Sequence, residues 1–190
     1  MIKLIVGLGN PGQQYEKTRH NAGFLFLDHL VSGASSVWSN EVKFHGLMAT
    51  CVVGSGKLLA LKPQTFMNKS GQSVGAVARY YKIEADEILV VHDELDLDAG
   101  VVRLKLGGGH AGHNGLRDII SDLGGKGFYR LRLGIGRPGS GQKVVDFVLS
   151  NSSKQEREGL EAVFSQVGGC LGELVSGNVA VVMNELNKKV

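Results

Sequence analysis

Cysteine is scarce in this sequence, with two residues among 190. Cys51 and Cys170 each lie in an apolar stretch, which is typical of buried reduced thiols and argues against a disulfide framework. No apolar run is long enough to span a membrane. Residues 2–6 are also too short a run for a signal peptide, and they lead directly into a glycine loop. We therefore expect a cytoplasmic protein with no membrane partner.

Acidic residues are scarce between positions 101 and 145, where only two aspartates oppose eight basic side chains. The whole chain carries a net charge of only +3, so the distribution of charge says more than its total. Residues 84–98, by contrast, are rich in acids. A basic segment beside an acidic one suggests a local phosphate-binding face, although two solvated surfaces explain the charges equally well. The basic residues are Arg103, Lys105, Arg117, Lys126, Arg130, Arg132, Arg137 and Lys143.

Strand-like and helix-like patterns of apolar residues alternate along the chain. Several predicted strands are apolar throughout, as expected for strands buried on both faces, and one pair is joined by glycines in the manner of a hairpin. This interleaving predicts one α/β domain over residues 1–190, with a mixed, largely parallel, twisted sheet and helices on both faces. Strands are predicted at residues 1–6, 47–53, 57–61, 88–92, 101–106 and 130–134, and helices around residues 24–31, 74–81, 116–123 and 160–175.

Polar side chains follow four of the predicted strands. Asn10, Asn68, Asp93 and Asn114 each lie just beyond an apolar run. Ligands of open α/β sheets bind at the carboxyl ends of strands, so the four side chains are expected to converge on one crevice within reach of His20. A turn or a helix N-cap explains any one asparagine alone, but four such positions favour a shared site.

Two motifs suggest other chemistry and fail on context. Residues 7–12 match the dinucleotide-binding pattern G-x-G-x-x-G, but Pro11 interrupts the helix that must begin there. Residues 71–75 match the G-x-S-x-G nucleophile elbow, but no strand leads into Ser73. Neither a nicotinamide cofactor nor a serine nucleophile is therefore expected.

Five motifs occur in order over essentially the whole chain. They are G-L-G-N-P-G with T-R-H-N in residues 7–21, K-P-Q-T-F-M-N-K-S-G in 62–71, H-D-E-L-D in 92–96, G-G-G-H-A-G-H-N-G-L in 107–116 and R-L-R-L-G-I-G-R-P in 130–138. Together they resemble the bacterial peptidyl-tRNA hydrolase family. The combination is highly specific, and no position that the family uses for chemistry departs from its pattern. The resemblance implies hydrolysis of the ester that joins a peptide to the terminal ribose of tRNA, which recycles tRNA from peptides released prematurely by ribosomes.

The resemblance also implies catalytic roles for several side chains. His20 is the general base that activates water, and Asp93 orients it and stabilises the imidazolium. Asn68 offers amide donors to the carbonyl or the water. Asn10 helps to distinguish a blocked amino group from a free one, and Asn114 holds the substrate.

Further side chains are implied in binding the two ends of the substrate. Tyr15, Phe66 and Met67 form an apolar wall, with Tyr15 able to stack on the terminal base, although ordinary core packing explains these three as well, Met67 above all. Lys105 and Arg132 grip the terminal phosphate of the tRNA acceptor arm, which positions the tRNA without reading its sequence. Residues 139–145 are interpreted as part of a lid, and the protein is expected to be a monomer without an obligate protein partner.

Two rival functions remain open at this level. The resemblance places His113 beside the substrate, whereas a metal-dependent hydrolase would use it as a ligand together with His92, Asp93 and His110. The other rival is a non-catalytic RNA-binding module that uses only the basic segment. A base, a carboxylate and amides suffice for ester hydrolysis, so neither a cofactor nor a metal is expected.

Overall fold

Seven strands form one mixed sheet in this computed structural model, which describes residues 1–188. The strands are β1 (Leu4–Gly7), β2 (Ser39–Glu41), β3 (Gly46–Val53), β4 (Gly56–Pro63), β5 (Ile88–Glu94), β6 (Val102–Leu106) and β7 (Tyr129–Gly134). The helices are α1 (Ala22–Gly33), α2 (Ser70–Tyr81), α3 (Asn114–Asp122), α4 (Val144–Val148), α5 (Lys154–Ser176) and α6 (Val179–Leu186). The predicted single-domain α/β class is confirmed.

The sheet has the order β2-β3-β4-β1-β5-β7-β6. Strands β4, β1, β5 and β7 run parallel in the middle, while β3 and β6 are antiparallel to their neighbours. The predicted mixed sheet is therefore confirmed, and so is the hairpin between β3 and β4. Gly54 in that hairpin has a φ of 58°, which lies in the left-handed region that tight hairpin turns use.

Two apolar cores lie on opposite faces of the sheet. On one face α1, α5 and α6 pack on the sheet through side chains such as Phe26 and Phe164. On the other face α2 and α3 cover a second core that includes Val74 and Ile119. Every residue of β5 is buried, because this strand lies inside the sheet with helices on both sides. The expected placement of helices on both faces is confirmed.

Local signals set the ends of several helices. A capping box begins α5, since Ser153 Oγ accepts a hydrogen bond from the Glu156 amide at 3.2 Å while the Glu156 carboxylate accepts from the Ser153 amide at 2.6 Å. The helix ends at Ser176, and the next residue, Gly177, has a φ of 97°, as is typical of the residue that follows a helix C-terminus. Within residues 1–188, no helix is both long and apolar enough to cross a membrane.

Candidate active site

A cavity of about 1040 Å³ opens where β1, β4 and β5 reach their carboxyl ends. Most of the side chains predicted from the sequence line this one cavity. Tyr15 is the exception, since it lies outside the lining, so the structure does not bring it to the predicted wall. The predicted residues that do line the cavity are Asn10, His20, Phe66, Met67, Asn68, Asp93, Lys105, His113, Asn114 and Arg132.

The strand-end argument holds for three of the four polar positions and is wrong for Asn114. Strand β6 runs antiparallel to β7, so its carboxyl end lies at the opposite edge of the sheet. A glycine loop, residues 107–113, instead carries the chain back to the cavity, where Asn114 opens α3. Gly107 and Gly108 have φ values of 68° and 102°, a backbone that other residues rarely adopt.

His20 and Asp93 form the centre of the cavity. His20 lies in a short 3₁₀ turn, Arg19–Asn21, that leads into α1, and Asp93 is the penultimate residue of β5. The Nδ1 atom of His20 lies 2.9 and 3.0 Å from the two carboxylate oxygens of Asp93. An ionised carboxylate only accepts hydrogen bonds, so Nδ1 carries the proton in this contact. The lone pair of Nε2 is then free to act as a base.

Burial and charge act in opposite directions on this pair. Burial lowers the pKa of His20, but the charge of Asp93 and its hydrogen bond outweigh burial and raise the pKa above its ordinary value. Burial likewise raises the pKa of the Asp93 carboxyl, but His20 and His113 outweigh it and hold that pKa well below its usual range. Asp93 therefore stays ionised while His20 exchanges a proton.

His113 makes a second contact with the same carboxylate. Its Nδ1 atom accepts a hydrogen bond from the Leu116 amide at 3.4 Å, which places the ring proton on Nε2. That Nε2 lies 3.0 Å from Asp93 Oδ1, and the His113 ring is 5.0 Å from the His20 ring between centroids. Asp93 thus accepts from two imidazoles, which fixes its orientation.

The structure does not bring together the four ligands that a metal-dependent hydrolase would use, His92, Asp93, His110 and His113. This rival function is not supported. His92 donates from Nδ1 to the Asp93 backbone carbonyl at 2.7 Å, and His110 accepts from the Gly112 amide at 3.1 Å. The group close enough to share an ion is instead His20, Asp93 and His113. Within this group both imidazoles are directed at Asp93 as hydrogen-bond donors, which is the arrangement expected of a base and its carboxylate.

His92 lies beneath the site as a neutral side chain. It is 2% exposed, and its Nε2 atom has no hydrogen-bond partner within the described part of the chain. Burial, followed by the proximity of His113, lowers its pKa to about 3. His92 therefore adds no positive charge around Asp93 near neutral pH.

Asn10 is held by two neighbours, Met67 and Asn21. Its Oδ1 accepts a hydrogen bond from the Met67 amide at 2.8 Å. The Asn21 side chain bonds both the amide and the carbonyl of Asn10, at 2.9 and 3.0 Å. With Oδ1 directed at the Met67 amide, Asn10 has its Nδ2 donors available to the cavity that it lines. Asn21 lies within the motif that contains His20, but its supporting contact was not predicted.

The other amides and the apolar wall differ in how firmly they are held. Asn68 is exposed and makes no side-chain hydrogen bond within residues 1–188, whereas Asn114 Oδ1 accepts from Arg117 of its own helix. Phe66 is 60% exposed at the rim, and Met67 is 4% exposed and packs in the core as well as lining the cavity. Met67 therefore fits both of its predicted roles.

A basic floor extends the cavity across β6 and β7. Lys105 is exposed and forms no ion pair in the described part of the chain, while Arg132 Nε donates to Glu94 at 2.9 Å. Arg130 is 2% exposed and donates to the carbonyls of Gly108 and Gly109. Arg130 thus anchors the glycine loop, a role that its place in a basic segment did not reveal.

These features define a class of site. The cavity contains a histidine base held by a buried carboxylate, amide donors beside it and a basic floor. Such a site suits a hydrolase with an α/β fold that acts on an anionic substrate.

Comparison with known proteins gives the family. A family model described as peptidyl-tRNA hydrolase matches residues 4–190. The peptidyl-tRNA hydrolases of Methylococcus capsulatus and Marinobacter nauticus are 51% and 52% identical over 98% of this chain, which is 100% and 95% of those proteins. A crystal structure of peptidyl-tRNA hydrolase from Acinetobacter baumannii matches with a TM-score of 0.94 at 45% identity, over 98% of this chain and 94% of that one. The chain belongs to the peptidyl-tRNA hydrolase family, and the resemblance of its five motifs is confirmed.

Proposed function

We propose that this chain hydrolyses the ester between a peptide and the terminal ribose of tRNA, with His20 as the general base. The observation that carries the proposal is the contact of His20 Nδ1 with both oxygens of buried Asp93, which leaves Nε2 free in the cavity. Membership of the family supports the substrate class. An ester needs an activated water and a stabilised oxyanion, and the cavity offers groups suited to both.

The reaction proceeds in two steps. Nε2 of His20 takes a proton from water as the water oxygen attacks the carbonyl carbon of the ester. The imidazolium that forms is stabilised by ionised Asp93, as in other base–carboxylate pairs. The tetrahedral intermediate then collapses, the bond from carbon to the ribose oxygen breaks, and that oxygen receives the proton from Nε2. Free peptide and free tRNA leave, and His20 is neutral again.

Asn68 is the proposed donor to the developing oxyanion. It is exposed in the cavity and makes no competing side-chain hydrogen bond within residues 1–188, so its Nδ2 is available to the carbonyl oxygen. Donors of this kind contribute about 10²–10³ in rate.

Asn10 is the proposed sensor of the blocked amino group. Its oxygen accepts from the Met67 amide, and this orientation leaves the two N–H donors of Nδ2 available to the substrate. A peptidyl group carries a carbonyl on its α-nitrogen. The oxygen of this carbonyl accepts a hydrogen bond from such a donor. A free aminoacyl group presents an ammonium instead, which can only donate. The enzyme therefore spares aminoacyl-tRNA and cleaves peptidyl-tRNA.

Lys105 and Arg132 are proposed to hold a phosphate of the acceptor arm. Lys105 forms no ion pair among the described residues, and Arg132 uses Nε for Glu94, so its two terminal nitrogens are free to form a bidentate contact. Phosphate contacts are indifferent to sequence, which suits an enzyme that acts on many tRNAs. Residues 139–145 are proposed to form part of a lid, since Val144 and Val145 line the cavity while remaining exposed.

The direct test is release of free tRNA from N-acetyl-aminoacyl-tRNA with a chelator present. Wild type is expected to turn over and His20→Ala to lose nearly all activity, while unblocked aminoacyl-tRNA survives in both reactions. Binding of the substrate without turnover by wild type would instead favour the RNA-binding module. Turnover that survives in His20→Ala would remove His20 as the base.

A further inference from the structure

Arg19, the residue before His20, makes a dense set of contacts with the C-terminal part of the chain. Its Nε and Nη2 atoms donate to the two carboxylate oxygens of Glu156 at 3.0 and 2.8 Å, across 137 residues of sequence. Its Nη1 donates to the Ser150 hydroxyl at 2.5 Å, and its guanidinium lies 4.4 Å from the centre of the Phe147 ring. All three guanidinium nitrogens of Arg19 thus donate to residues between 147 and 156.

The contact is protected from water. The side chains of Arg19 and Glu156 are 13% and 21% exposed. Burial raises the pKa of the Glu156 carboxyl, but its hydrogen bonds with Arg19 and Ser153 outweigh burial and lower it. A bidentate, partly buried pair of this kind is stronger and more directional than an ion pair on an open surface.

The backbone repeats the same connection. The Arg19 amide donates to the Ser150 carbonyl at 3.1 Å, and the Ser152 amide donates to the Lys17 carbonyl at 3.2 Å. Thr18 and Asn151 form an isolated antiparallel bridge between these two bonds. The strand-like segment 150–152 is thus fastened to the segment that leads into His20.

Helix α4, on the other side of this connection, forms a wall of the cavity. Phe147 belongs to α4, and Val144, Val145, Val148 and Leu149 of α4 and its end line the cavity that contains His20. Three of these four side chains are exposed apolar groups, so a bound substrate would press directly on α4. The 3₁₀ turn that carries His20 has only three residues and no side-chain cap, so it depends on outside contacts for its position.

We propose that Arg19 is a positioning residue that fastens the turn carrying His20 to α4 and to the start of α5 through Glu156, so that His20 stays aligned with Asp93 while substrate occupies the cavity wall. The proposal rests on the role of His20 as the base. Arg19 itself touches neither substrate nor the reacting atoms. Its effect reaches the reaction only through the geometry of the contact between His20 and Asp93.

Two mild substitutions test the proposal. Arg19→Lys keeps the positive charge but loses the planar fork that spans both oxygens of Glu156, and Glu156→Gln keeps the shape of the partner but loses its charge. Each is expected to lower kcat about tenfold or more, because displacements near 1 Å at a reacting centre can cost about 10²-fold. The affinity for free tRNA is expected to stay at the wild-type value. The double variant is expected to lose less than the product of the single losses, since both break one interaction.

Titration of the His20 ring by NMR separates positioning from simple stability. Asp93 raises the pKa of His20, so a looser contact moves the midpoint of its titration to lower pH in both variants. The acid limb of kcat/KM, which reports the free enzyme, is expected to move in the same direction. Arg79→Met is the matched control, because it removes an arginine–aspartate pair of 2.8 Å between α2 and α3 that has no contact with the His20 turn.

Two outcomes of these experiments would overturn the proposal. Folded Arg19→Lys and Glu156→Gln proteins with wild-type kcat and a wild-type His20 titration would overturn the proposal, even if both had a lower Tm. A shift in the titration equal to that of Arg79→Met would overturn it as well. Failure of the proposed base is distinguishable, since His20→Ala would then retain turnover, while the NMR titration still reports whether Arg19 aligns the ring.

Discussion

The two ends of the cavity are built in opposite ways. At one end His20, His113 and Asp93 are shielded from water and joined by hydrogen bonds of 2.9 to 3.0 Å. At the other end Lys105 is exposed and unpaired in the described part of the chain, and Arg132 is held by one bond to Glu94. Bond cleavage requires fixed geometry, whereas attraction between a cation and a phosphate tolerates movement. The structure therefore separates a shielded end, where we propose the chemistry occurs, from an open basic end, where we propose tRNA binds.

The largest expected effect comes from removing the charge of Asp93. Asp93→Asn keeps the size of the side chain but takes away the acceptor that places the His20 proton on Nδ1, so we expect kcat to fall about 10³–10⁴-fold. Because Asp93 raises the pKa of His20, residual activity should also reach half its maximum at a lower pH. Steady-state rates across the acid limb measure both effects, with Asp122→Asn, in the remote pair with Arg79, as the control. Residual activity with an unchanged acid limb would contradict the assignment of His20 as base.

A smaller effect is expected from reversing the hydrogen-bonding character of Asn10. Asn10→Asp still accepts from the Met67 amide, but its second oxygen cannot donate to the substrate. We expect kcat/KM for N-acetyl-aminoacyl-tRNA to fall about 10²-fold, the scale of one lost transition-state donor. Discrimination against unblocked aminoacyl-tRNA should narrow at the same time, because an ammonium is attracted to the new carboxylate. Equal losses on both substrates would mean that Asn10 does not read the amino group.

A substitution at the basic end of the cavity is expected to change tRNA binding rather than ester cleavage. Lys105→Ala should raise KM with kcat unchanged, and it should reduce the slope of log affinity against log salt by about one. Lys3→Ala removes a lysine just before β1 that does not line the cavity and that pairs with Glu87 at 2.6 Å. That control should leave both quantities at their wild-type values. A loss of kcat in Lys105→Ala would show that the two ends are not separate.

The last expected effect concerns the stability of the fold in acid and not activity. The pKa of His92 is lowered from 6.5 to about 3, so between these values the unfolded chain binds a proton that the folded chain excludes. The free energy of unfolding should therefore fall with decreasing pH because of this residue. The raised pKa of His20 acts in the opposite direction, since its stabilisation is fully present below 6.5. Denaturant unfolding of His92→Asn against pH should show a shallower acid slope than wild type, and an equal slope would contradict the buried, neutral state of His92.

The sequence predicted the long, regular elements and missed the short ones. Strands such as β5 and the long helix α5 carry clear apolar periodicity, and their positions are confirmed. Helix α4 has five residues, and strand β2 has three, all of them polar. Neither element is long enough to show a period of apolar residues. The antiparallel direction of β6 was also missed, because an alternating strand pattern does not reveal which neighbour the strand pairs with.

The candidate site shows the same limit. His20, Asp93 and the asparagines lie in motifs that the sequence displays, and the structure brings them into one cavity. The contacts that hold them are invisible in the sequence, because they join residues that are far apart along the chain. Arg19 and Glu156 are separated by 137 positions, and nothing near Glu156 marks it as a partner of the site. Tyr15 illustrates the converse, since it belongs to a motif and yet lies outside the cavity lining.

Single-turnover hydrolysis of N-acetyl-aminoacyl-tRNA by the wild-type enzyme, measured at increasing salt, tests the separation of the two ends most directly. The enzyme concentration at half-saturation reports attachment of the tRNA, and the rate at saturation reports cleavage. We predict that the half-saturating concentration rises steeply with salt while the saturated rate stays nearly constant, because the largely buried His20–Asp93 pair is screened much less than exposed charges. A saturated rate that falls with salt as steeply as the affinity would contradict this account.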